Sequence, residues 1–147
     1  MVVAGKGGVG KTTVTAVLAL AAATAGQRVL VVELDGKPTL STTLAGTPGV
    51  EVRHISPAAA LEEYLVEHGF KRIARRLAAS GVIDVVSAAA PGIDDLVVLG
   101  KIKQLERSGA FDTILVDGPA AGHAVTLLTS PAGLLDAVRG GPVHAQA

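Results

Sequence analysis

Cysteine and tryptophan are missing from this 147-residue chain, and it holds only one tyrosine and two phenylalanines. Without thiols there can be no disulfides and no thiolate metal site. With 2% aromatic residues, almost nothing is available for the bases of a single-stranded nucleic acid to stack on. An excess of charge is lacking as well. Thirteen basic residues balance thirteen acidic ones, so no global field draws the chain to nucleic acid or to an anionic membrane. The uncharged stretch from Thr12 to Gln27 carries several threonines and a glutamine, and it falls short of the ~20 apolar residues that a membrane-spanning helix needs. What is present is a composition 49% apolar, in a length that suits one domain with a real core. This is the profile of a soluble globular protein, and the lack of thiols suits the cytoplasm.

Residues 5–13 read Gly-Lys-Gly-Gly-Val-Gly-Lys-Thr-Thr, which fits the phosphate-loop pattern G-x-x-x-x-G-K-T. In that pattern the backbone N–H groups of Gly7, Gly8, Val9 and Gly10 turn inward around a phosphate chain. Lys11 meets the β- and γ-phosphates, the Thr12 hydroxyl goes to Mg²⁺, and Thr13 completes the loop. Lys6 is a second lysine inside the loop, where an ordinary phosphate loop needs no charge. Gly5, Gly7 and Gly10 also fit G-x-G-x-x-G, with Glu33 and Asp35 at about the distance of a ribose-binding acid in a dinucleotide fold. Lys11-Thr12 directly after the last glycine favours a triphosphate with magnesium over a dinucleotide. A secretory signal is a further reading, since Lys6 and Lys11 precede an apolar run from Val14 to Ala23, and Ala23-Thr24-Ala25 imitates a cleavage site. Glycines at phosphate-loop spacing are foreign to such a signal. A glycine-rich turn without a ligand is the last alternative.

Along the chain, Val2-Val3-Ala4 reads as the end of a buried strand that feeds the loop. Thr12 to Ala25 carries Val14, Val17, Leu18, Ala21, Ala22 and Ala25 at helical spacing with Gly26 as a stop, and a helix buried on several sides is expected. Arg28 to Leu34 is a continuous β-branched apolar run suited to a central parallel strand. Asp35 falls at its carboxyl end, where ligands collect in open α/β sheets. Val50 to Ile55 suggests a short strand, and Pro57 opens a helical region through Leu61, Leu65, Ile73 and Leu77, broken at Gly69. Lys71, Arg72, Arg75 and Arg76 form a basic face, either solvated or turned to a partner or lipid headgroup. Val82 to Val86 suggests another strand. Pro91-Gly92-Ile93-Asp94-Asp95 starts a helix through Leu96, Leu99, Ile102 and Leu105, its aspartates either complementing the helix dipole or functional. Phe111 to Asp117 is the last clear strand. Its terminal Asp117 stands where a Walker-B carboxylate belongs, holding magnesium directly or through water. Gly118 to His123 offers the backbone freedom of a loop that could sense the γ-phosphate.

Three segments, Gly5 to Thr13, Pro91 to Asp95 and Asp117 to His123, together resemble the deviant-Walker ATPases. Within them the resemblance is to the branch of arsenite-pump (ArsA-type) and tail-anchored-protein-targeting ATPases. It implies an α/β fold, the P-loop NTPase three-layer sandwich with a mostly parallel sheet. It also implies ATP hydrolysis with Mg²⁺ and ATP as cofactors. The working unit would be a homodimer or a paired ATPase subunit switched by nucleotide, acting in the cytoplasm on a protein client linked to a membrane. Residue by residue, Lys6 would reach across the dimer to the partner's nucleotide, Asp35 would orient the attacking water from switch I, and Asp117 to His123 would form switch II with Gly118 at the nucleotide. Lys6, Lys11 and Asp35 are thus the catalytic candidates, and Thr12 and Asp117 the metal ligands. The chain departs from the family at Asp35-Gly36-Lys37-Pro38, where relatives read D-P-A-H, and at Ala121, where they usually carry threonine. These departures keep open a non-catalytic, nucleotide-dependent interaction module. Metalloid-binding cysteines are absent. Family members are longer, so residues 1–147 are expected to be the N-terminal part of a single ATPase domain, with a helical segment within 57–107. The sheet would then be incomplete on its C-terminal side, with open edges and apolar surface.

Overall fold

The computed structural model describes residues 1–34, 38–72 and 92–137. The expected strand at Val82 to Val86, together with Asp35, Ile73, Arg75, Arg76, Leu77 and Pro91, lies outside the described residues. Among the described residues there are four strands, β1 (Val2–Gly5), β2 (Val29–Glu33), β3 (Val50–His54) and β4 (Thr113–Ala120). The helices among the same residues are α1 (Lys11–Thr24), α2 (Thr39–Thr43), α3 (Pro57–Glu67), α4 (Ile93–Arg107) and α5 (Ala121–Ala137). The chain divides into two compact units. One is Met1–Ile55 with Lys103–Ala124, and the other is Ser56–Ile102 with Val125–Ala147.

The first unit holds the sheet, which is parallel throughout with the order β1-β4-β2-β3. β2 pairs on one side with β4 (Val29↔Thr113 to Glu33↔Asp117) and on the other with β3 (Val29↔Val50 to Glu33↔His54). A strand so enclosed must be apolar on both faces, and Val29, Leu30, Val31 and Val32 are all buried. Among the described residues the sheet is unclosed, with β1 and β3 at its edges. The core on one face joins Ala16 and Ala19 of α1 to Val29, Val31, Leu40, Leu44 and Leu115.

Burial of α1 is narrower than its composition suggests. It buries Thr15, Ala16 and Ala19, whereas Val14, Val17 and Leu20 are 48%, 59% and 44% exposed. Small side chains on one stripe let the helix lie close on the sheet with Leu18 packed against the core at its side, and Val14, Val17 and Leu20, at other angles around a 3.6-residue turn, point away. A second difference concerns residues 118–123. β4 runs on to Ala120, because β1 continues to pair with it through Gly5↔Ala120 after a register shift following Val3. α5 starts at the next residue, so a strand-to-helix junction takes the place of the expected loop.

Arg28 clamps the first ends of β2 and β4. Its backbone N and Nε donate to Asp112 Oδ2 at 2.8 and 3.0 Å, and Nη2 donates to Asp112 Oδ1 at 2.8 Å and to the Gly109 carbonyl at 3.2 Å. The side-chain hydrogen bond from Arg28, helped by the backbone one, lowers the Asp112 pKa from the ordinary 3.8 to about 2. A depressed carboxylate stabilises the fold fully above its unfolded pKa and stops doing so as pH falls through the folded value. The thermal midpoint of the chain should therefore exceed that of Asp112→Asn at pH 5, and the gap should close between pH 4 and 2. Because the pair is exposed, the gap should be small.

In the second unit α3 begins after Ser56, whose Oγ accepts from Ala59 N at 3.2 Å, with Pro57 at its first position. Both features favour a helix start. Lys101 of α4 is ion-paired with Glu63 of α3. Asp95, in the first turn of α4, accepts from Ser130 Oγ of α5 at 3.2 Å.

Candidate functional site

Between the end of β1 and the start of α1 the chain turns through residues 6–10. Gly8 and Gly10 adopt φ of 76° and 91°, a left-handed conformation that strains any residue with a Cβ. Gly10 precedes α1 without a side-chain cap, so the first N–H groups of the helix and the positive end of its dipole face the loop. Such a helix start suits an anion. Lys11 Nζ donates to the Lys6 carbonyl at 3.4 Å, a long bond that folds the side chain back across the loop. Lys6, Gly7, Gly8, Val9 and Thr13 are exposed.

Insertion of β4 beside β1 pairs Val3 with Asp117 and so carries the carboxylate to the start of α1. Thr12 Oγ1 donates to Asp117 Oδ2 at 2.8 Å. Thr12 and Asp117, 105 residues apart in the chain, are the two expected metal ligands, and they meet here. Asp117 is only 8% exposed. Thr15 Oγ1 lies 3.2 Å from Asp117 Oδ1 and 3.0 Å from the Lys11 carbonyl. Sequence reasoning missed Thr15, which reads as one more threonine in an apolar helix. The available signal was its spacing of three from Thr12, which sets both hydroxyls on one helix face.

Glu33 takes a structural place. Read as a ribose-binding acid in the dinucleotide alternative, it is buried, and its Oε1 accepts from Leu40 N at 2.7 Å. The carboxylate anchors the start of α2, and its burial there weakens that alternative. Gly118 meets a packing demand of its own. A Cβ there would lie 2.9 Å from the Val3 carbonyl oxygen and 3.2 Å from Val2 Cγ1, so β1 and β4 could not approach as they do. His123 is exposed in the first turn of α5, and Ala121 opens that helix. Asp35 lies outside the described residues.

No group of three His, Cys, Asp or Glu side chains that could hold a metal occurs among the described residues. The donors at the loop are a hydroxyl and a carboxylate, both hard oxygens. That sparse set fits Mg²⁺, which keeps several waters and takes substrate phosphates, and does not suit a metal needing an all-protein cage.

ATPase BagA of Mycobacterium tuberculosis (strain ATCC 25618 / H37Rv) is 31% identical, in an alignment covering 98% of this chain and 49% of BagA. A Prosthecochloris vibrioformis protein named as an arsenical pump-driving ATPase is 30% identical over 86% of this chain and 34% of its own length. ATPase get3 of Schizosaccharomyces japonicus (strain yFS275 / FY16936) is 29% identical over 88% of this chain and 43% of its own length. The chain thus spans about half the length of BagA and less of the other two. The model of the anion-transporting ATPase family matches residues 1–139, and the chain belongs to that family.

Proposed function

We propose that this chain carries the nucleotide site of an ArsA-like deviant-Walker ATPase, which binds and hydrolyses ATP with magnesium and acts as a nucleotide-switched dimer. The observation that carries the reading is the Thr12–Asp117 pair at 2.8 Å, directly behind a phosphate loop that opens an uncapped helix. Backbone N–H groups from Gly7 to Gly10, with Thr12 and Thr13, surround the phosphates. Lys11, whose ammonium now rests on the Lys6 carbonyl, swings to the β- and γ-phosphates. Thr12 and Asp117 would hold Mg²⁺, with Gly118 beside them, and the bound ion would supply positive charge against the charge that develops in phosphoryl transfer. Asp35 orients the attacking water, and Lys6, exposed on the loop, reaches the nucleotide of a partner subunit. Catalysis on this reading is mostly electrostatic positioning, because a loose phosphoryl transition state asks little covalent chemistry of the protein.

The partner is a second copy or a paired ATPase subunit, and the client is a protein linked to a membrane. No helix among the described residues is long and apolar enough to cross a membrane, and the work is assigned to the cytoplasm. A chain without cysteine offers no thiolate to arsenite. Ala121, without a hydroxyl at the start of α5, favours a second reading, in which ATP is bound but not turned over and the chain serves as an interaction module. Single-turnover assays with radiolabelled ATP separate the two. Magnesium-dependent release of labelled phosphate is the expected result, and ATP that stays bound and intact would support the interaction module.

A further inference from the structure

We propose that Thr15 is a positioning residue for Asp117, setting the carboxylate for the magnesium ion; this rests on the magnesium-nucleotide reading above. The two oxygens of Asp117 are held separately by α1, Oδ2 by Thr12 at 2.8 Å and Oδ1 by Thr15 at 3.2 Å. Rotation of an aspartate carboxylate about its last side-chain bond is soft and roughly two-fold, so a single hydrogen bond leaves its plane free to turn. Two donors spaced three residues apart on one helix face fix it.

Thr15 is 0% exposed, unlike the half-buried Thr12 and the exposed Thr13. It therefore lies behind the loop, where its hydroxyl acts through Asp117 and does not touch nucleotide. A buried hydroxyl is costly unless it is bonded. Its single proton has two acceptors within reach, the Lys11 carbonyl at 3.0 Å and Asp117 Oδ1. The first is the back-bond any helical threonine can make, and the helix does not need it. The second crosses to β4. With Thr12 and Asp117 holding a cation, Thr15 would remain the donor from α1 to Oδ1. Outer-shell partners of this kind typically change metal affinity or activity by about 10–100-fold when removed.

Thr15→Val keeps the β-branched shape and removes the hydroxyl, and Thr15→Ser keeps the hydroxyl and removes the methyl. The test is the ATP dissociation constant of the purified chain as a function of free Mg²⁺. Thr15→Val should move the magnesium midpoint up by about 10-fold or more, leave metal-free ATP affinity as in the parent, and be rescued by Thr15→Ser. A Thr15→Val protein with the parent midpoint overturns the inference. So does one that loses metal-free and magnesium-supported binding equally along with its thermal midpoint, since that is a packing role. If Thr15→Val does not fold, Thr15→Ala replaces it, and an equal midpoint shift in the Ala and Ser variants overturns the inference. A parent chain that binds ATP with no regard to magnesium overturns the proposed function and this inference together, an outcome separable from the others because no variant enters it.

Discussion

Lys11→Ala should lower ATP affinity about 100-fold, because one charged hydrogen-bonding group at a phosphate is worth about 1.5–3 kcal/mol and each 1.4 kcal/mol is tenfold. The backbone N–H groups of the loop carry only partial charge, and the Lys11 ammonium, folded across the loop onto the Lys6 carbonyl, adds a full one. Its present bond is long, at 3.4 Å, so little holds it in place and little is lost when it swings to a ligand. The same weakness means that removing it should hardly change stability, within about 0.5 kcal/mol as for an ordinary partly exposed site. Calorimetric titration with excess magnesium reads the affinity, and thermal melting reads the stability. Parent-like affinity in Lys11→Ala would contradict the assignment of residues 5–13 as a phosphate site.

Lys6→Ala should behave differently, keeping ATP affinity within about threefold while hydrolysis falls on the order of 10³-fold, the lower range for a cationic finger supplied in trans. Lys6 is exposed, and among the described residues its ammonium has no carboxylate partner in an ion pair. Its own nucleotide would be held by the backbone of the loop and by Lys11, neither of which needs the Lys6 side chain. A lysine that serves a neighbouring subunit should also make hydrolysis per chain rise with protein concentration until dimers saturate, and that rise should vanish in Lys6→Ala. Equal loss of ATP binding in Lys6→Ala and Lys11→Ala would contradict the action across a dimer.

Much of this site was legible because its chemistry is local. A run of glycines followed by Lys11-Thr12 has few physical uses, and the strands leading to residues 34 and 117 announce themselves as β-branched apolar runs. Parallel packing of β4 against β1 then makes Thr12 and Asp117 meet. Thr15 and Glu33 were harder to read, since a buried polar side chain takes its meaning from a partner distant in sequence or from the end of a neighbouring helix. Composition misled for α1. Nearly every position there is small or apolar, so periodicity could not say that the alanine stripe faces the sheet while Val14, Val17 and Leu20 face out. The end of β4 was misread for another reason. Gly118-Pro119-Ala120 has the composition of a turn, yet pairing with β1 as far as Gly5 keeps it in the sheet, and the close approach to Val3 requires the glycine. At the end of β4 local propensity yielded to tertiary pairing.

The most direct test of the central claim is calorimetric titration of the folded chain with ATP and with NAD, each with and without magnesium. Binding of ATP that strengthens with magnesium, alongside no binding of NAD, is the predicted result. Binding of NAD that ignores magnesium would contradict it, returning the glycines at positions 5, 7 and 10 to a dinucleotide site.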